Sequence, residues 1–192
     1  MEKKKISTKT LTLGAVLTAV VILLQFLGAF IRLGPFSVSL VLVPIVIGAA
    51  MCGRAMGAWL GFVFGVTVLA SGDAAAFLTI DAPATVLIVL LKGTLSGFLS
   101  AVVYKALVKV NSVVATIGAA IVCPLVNTGI FLLGCLVFFW DTMCVWAEGF
   151  GFGDNVALYM ILGLVGANFL FELGINMILS PAIVRLLKIR KK

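Results

Sequence analysis

Apolar runs follow one another along this chain, each closed by a glycine, a proline or a charge, at approximately 10–30, 37–51, 55–70, 84–108, 113–140 and 156–187. A helix of about 20 apolar residues crosses the roughly 30 Å hydrocarbon layer of a bilayer, because it satisfies its backbone groups within itself. A soluble bundle fails on composition. The 192 residues are 63% hydrophobic and 11% charged, whereas ordinary soluble domains carry about 25% charged residues. Too little polar surface is left to cover such a core. The reading is an all-α integral membrane protein, one domain over residues 1–192, with six transmembrane helices.

The net charge of +7 raises nucleic acid as a partner, but the placement of the charges argues against it. Lys3, Lys4, Lys5, Lys9, Arg54, Lys105, Lys109, Arg185, Lys188, Arg190, Lys191 and Lys192 sit in the tails or in short connections beside apolar runs. With six crossings and the N-terminus inside, these twelve all fall on the cytoplasmic side and only Arg32 falls outside. That asymmetry is the positive-inside signal, so both termini are expected in the cytoplasm of a bacterial plasma membrane protein. The lysines ahead of the first run imitate a secretory signal. Its apolar part is about 20 residues, longer than the 7–15 of a signal core, so it is expected to remain as the first helix.

Several chemistries are disfavoured. There is no histidine, and Cys52, Cys123, Cys135 and Cys144 show no paired spacing, so a metal site is not expected. No phosphate-binding glycine loop and no nucleophile elbow occur. The chain is not expected to be an enzyme, to hold a cofactor or to bind ATP itself.

Polar residues inside the apolar runs are the informative ones, since each is costly unless it faces a partner or a cavity. Counted from the outer helix ends, Lys92 lies about 8 residues deep, Asn127 about 13, and Asn168 and Glu172 about 12 and 16, at 1.5 Å per residue. Asn168 and Glu172 are four apart and share a helix face. Two readings stay open. Lys92 and Glu172 form a buried ion pair with the asparagines as interhelical glue, or the four line a pocket that opens outward. Arg32, Phe36, Asp73, Asp81, Trp140, Asp141 and Trp146 would gather at its mouth, with Trp146 serving as an interfacial anchor. The apolar segment 74–80 is expected to lie at the interface or to cover a cavity. Gly57, Gly61 and Gly65, with Gly93 and Gly97, are read as stripes for close helix packing. Ala15 and Ala19, four apart on the first helix, allow either internal packing or docking of a separate membrane subunit.

The basic N-terminus, the Ala15–Ala19 spacing, the segment 34–39 (GPFSVS), the segment 43–50 (VPIVIGAA) and Gly57-Ala-Trp-Leu-Gly61 occur in this order over essentially the whole chain. In this the chain resembles the substrate-binding S components of energy-coupling factor (ECF) transporters. The resemblance implies capture of a water-soluble vitamin or related micronutrient at the outer face, in a pocket of helices 4 to 6 with lids from the loops after helices 1 and 3. It implies docking through Ala15 and Ala19 to a transmembrane coupling subunit driven by two ATPases, and toppling of the whole subunit in the membrane. Lys92 favours a carboxylate-bearing vitamin, such as pantothenate or a folate, over neutral riboflavin. A stand-alone proton-coupled carrier using Glu172, and an assembly factor that binds no small molecule, are the alternatives.

Overall fold

The computed structural model describes residues 8–28 and 40–189. Among them every regular element is helical: α1 (Thr8–Gly28), α2 (Leu42–Cys52), α3 (Arg54–Ser71), α4 (Ala75–Leu78), α5 (Ala82–Leu107), α6 (Ser112–Phe138), α7 (Trp140–Gly149), α8 (Val156–Leu158), a π-helical turn (Tyr159–Leu164) and α9 (Gly166–Ile189). The outward faces are apolar. Leu23, Leu87, Val137 and Ile178 stand between 55% and 72% exposed, which in water would be an aggregation surface and in lipid is the ordinary exterior.

The described residues supply four or five candidate crossings, and they do not confirm a sixth. Four helices, α1, α3, α5 and α6, are long and apolar enough to span a bilayer, and a fifth span is completed only by joining two segments bent by 45°. The remaining helix, α2, has 11 residues, about 16 Å at 1.5 Å per residue, roughly half of what a crossing needs. Pro44, expected in the middle of a helix over 37–51, stands instead in the first turn of α2. There its missing N–H has no intrahelical partner to lose. Every residue from Leu42 to Ala49 is buried, so α2 is apolar all round because protein surrounds it, against α1, α3, α5, α6 and α9. Gly53, at φ 90°, closes it and starts α3.

The α3–α5 pair is the closest in the bundle. Gly57 stacks on the Gly97 carbonyl and Gly61 on the Gly93 carbonyl, and the reverse contacts also hold. The two glycine stripes read from the sequence therefore face each other. Without side chains the backbones touch directly, which adds dispersion contacts where lipid supplies no hydrophobic drive for helix pairing.

Two connections differ from expectation. Residues 141–155, expected as a loop, begin with α7, whose Met143 and Ala147 lie one turn apart and are buried. Only after Gly149 does the chain turn irregular, through Gly151 and Gly153 at positive φ. The expected unbroken helix over 156–187 is interrupted, with a wide π-helical turn and a non-helical Val165 preceding α9. Gly166 makes the break sterically possible, because a Cβ there would sit 2.8 Å from the Ile161 carbonyl oxygen.

Candidate functional site

A cavity of about 90 Å³ lies between α3, α4, α5, α6 and the π-turn–α9 region. It sits toward the end of the bundle where α3 finishes and α5 begins. Arg54, Lys105, Lys109 and Arg185 mark the opposite ends of the same helices. Lys92, Asn127, Asn168 and Glu172 all line it. Residues separated by up to 80 positions, recognised only as misplaced polar groups in apolar runs, thus share one wall.

Helix geometry explains the convergence. Asp81 caps α5, its Oδ1 accepting the Ala84 N–H at 2.9 Å, and Pro83 stiffens the first turn. Lys92 follows ten residues after Ala82, about 15 Å along the axis. α6 runs back antiparallel from its Asn111 cap and brings Asn127, Thr128, Phe131 and Cys135 alongside. The break at Val165 redirects α9 so that Asn168 and Glu172, one turn apart, both face the cavity.

The electrostatics are uneven. The Lys92 ammonium lies 5.2 Å from the centroid of Phe131 and 5.9 Å from that of Phe64. Among the described residues no carboxylate closes an ion pair with it. Glu172 and Asp73 act on it through the cavity at longer range, so the contact ion pair considered from sequence does not form. Asn127 is buried, and its Oδ1 accepts no hydrogen bond. A buried amide oxygen left so costs about 1–3 kcal/mol unless something fills the site.

The other expected residues fall elsewhere. Asp81 is occupied as a helix cap, and Asp141 is exposed in the first turn of α7; neither is among the residues lining the cavity. Arg32 and Phe36 lie outside the described residues. Trp146 packs edge-to-face on Phe77 at 5.4 Å, while Trp140 is 47% exposed. The segment 74–80 forms a single turn that puts Ala74 and Phe77 into the cavity wall.

Two contributors were missed. Gln25 of α1 is buried and donates from Nε2 to Asp73 Oδ2 at 2.6 Å and to Ser71 Oγ at 3.3 Å, tying α1 to the rim. It carried the same signal as Asn127, an amide inside an apolar run. The aromatic wall carried none. Phe64, Phe77, Phe131, Phe139 and Phe169 are five phenylalanines among 14, and only the folded chain selects them.

The family model described as the substrate-specific component of ECF transporters matches residues 9–184. The chain belongs to that family. It is accordingly a multi-pass membrane subunit of a transporter and not an enzyme. No curated protein and no solved structure matches it. Within this ECF substrate-specific component, Ala15 and Ala19 lie on the exposed side of α1, whereas Gly14, Leu17, Val21 and Gln25 form its buried side. Neither alanine is buried in the subunit.

Proposed function

We propose that the chain captures a water-soluble vitamin or related micronutrient at the outer face of the membrane. It then delivers the molecule inward with a transmembrane coupling subunit and two ATPase subunits. The observation that carries this reading is the cavity itself. It collects Lys92, Asn127, Asn168 and Glu172 and leaves the Asn127 oxygen unpartnered deep in the bundle. A binding site tolerates such an orphan because the ligand completes it, whereas a packing core does not.

The orientation that suits this role puts both termini in the cytoplasm. The basic ends of α3, α5 and α9 then lie inside and the cavity end lies outside. The exposed Ala15–Ala19 face, flanked by exposed Leu11, Val16 and Leu23, supports docking of a partner helix in the bilayer. Arg32 and Phe36, in the connection after α1, are proposed to contribute from the mouth, with Asp81 and Asp141 at its rim.

The test is native mass spectrometry of the gently solubilised, purified chain. A small-molecule adduct, or one gained on incubation with a panel of water-soluble vitamins, is the expected result. A mass that stays at that of the bare polypeptide under both conditions would refute the reading.

A further inference from the structure

On the reading that this cavity is the substrate site, we propose that its substrate is an aromatic carboxylic acid that also carries an N–H or O–H donor. Each part of that description answers a feature of the wall.

The acid answers Lys92. Its ammonium is enclosed by two ring faces, at 5.2 and 5.9 Å, with no carboxylate in ion-pairing contact among the described residues. Cation–π attraction supplies about 0.5–2 kcal/mol, while taking an ammonium out of water costs several kcal/mol. Glu172 and Asp73 offset part of that cost from a distance, and an anion in contact with the ammonium offsets more of it. A single ammonium suits a single negative charge. Asp73 and Glu172 line the same cavity and repel a dianion more strongly than a monoanion, and among the described residues no arginine joins Lys92 there to offer the two-pronged recognition that phosphates favour.

The ring answers the phenylalanines. Phe64 and Phe131 flank the ammonium, and Phe77 packs edge-on against Phe131 at 5.6 Å and Phe139 at 5.0 Å. Such a wall offers edges and faces to a flat π system. The donor answers Asn127, whose buried Oδ1 accepts from nothing in the protein.

The experiment uses the full chain in lipid nanodiscs. The co-purified molecule is released and fragmented, and binding is titrated with 4-aminobenzoate, indole-3-carboxylate, their primary amides, benzoate and cyclohexanecarboxylate. The expected result is an aromatic acid as the released molecule, with each acid bound at least about tenfold more tightly than its amide, as for loss of a charge-assisted contact. Lys92→Met should weaken acid binding by about 30-fold or more and erase the acid–amide preference, while Lys92→Arg keeps the preference. Asn127→Leu should bring 4-aminobenzoate down to the level of benzoate. A released molecule without a ring or without an acid, or amides bound as well as acids, overturns the inference and leaves the transport role standing. Absence of any small-molecule ligand overturns both. If Lys92→Met does not fold, the acid–amide comparison in the unmodified chain decides alone.

Discussion

Adding one methyl group to the α3–α5 seam tests whether glycine-to-glycine contact holds this bundle together. The seam is graded. A Cβ on Gly65 would lie 2.9 Å from the Val89 carbonyl oxygen, 3.1 Å from Leu90 Cα and 3.2 Å from Leu90 Cδ2, short of the roughly 3.5 Å at which carbon contacts become favourable. The two nearest atoms are backbone, so the helices must part by a few tenths of an ångström to relieve it. A Cβ on Gly61 meets the backbone of Gly93 more closely still, and a backbone carbonyl cannot rotate away. Overpacking of this kind costs about 1–3 kcal/mol, so Gly61→Ala belongs near the top of that range and Gly65→Ala near the bottom. Gly129 is the control. It lies inside α6 with nothing within 4 Å of the added atom, and replacing an interior helix glycine by alanine gains about 0.5–1 kcal/mol. Denaturant or thermal unfolding in nanodiscs should therefore rank the variants Gly129→Ala, wild type, Gly65→Ala, Gly61→Ala, from most to least stable. Because Lys92 adjoins Gly93 on α5 and faces Phe64 of α3, Gly61→Ala should also weaken ligand binding. Equal unfolding of Gly61→Ala and Gly129→Ala would refute the close-contact account.

Three further outcomes follow from individual residues. Asn127→Leu removes a buried unpartnered carbonyl, so the unliganded chain should gain up to about 1–3 kcal/mol while ligand affinity falls; loss of both together would show a purely structural asparagine. Gln25→Leu breaks the 2.6 Å bond to Asp73 and should cost about 1.5–3 kcal/mol, as for hydrogen bonds to charged groups, with faster amide exchange around residues 71–74; unchanged exchange would show that α1 does not brace the rim. Ala15→Trp with Ala19→Trp adds bulk to an exposed face, so ligand binding should persist while uptake by the assembled transporter is lost, and undiminished uptake would remove this face as the docking surface.

How far the site was legible can be seen from its members. Lys92, Asn127, Asn168 and Glu172 stood out because a polar group in a lipid-length apolar run has few tolerable environments, and a shared cavity is one of them. Gln25 met the same criterion and was passed over. Asp81 and Asp141 were assigned by their position in outer connections, a weaker argument. A carboxylate just before Ala-Pro is also an ideal helix cap, and that is what Asp81 does. The helix boundaries followed the same pattern. α3, α5 and α6 begin and end near their expected residues because glycine, asparagine and Asp-Ala-Pro are local stop and start signals. A short second helix holding Pro44 was legible in the sequence, whereas the break at Val165 is not a local property and depends on what surrounds the segment.

Sequence alone determined the solvent, the bundle class, the glycine stripes and four of the polar residues that line the cavity, because those follow from hydropathy, length and residue size along a single helix. Tertiary structure decided which stripe meets which, that α2 is enclosed by protein, and which five phenylalanines form a wall. It also decided that Lys92 rests between rings and does not touch Glu172. These are matters of rotation and depth between helices. In an apolar solvent every helix face is nearly as apolar as the next, so hydropathy carries almost no information about which face turns inward.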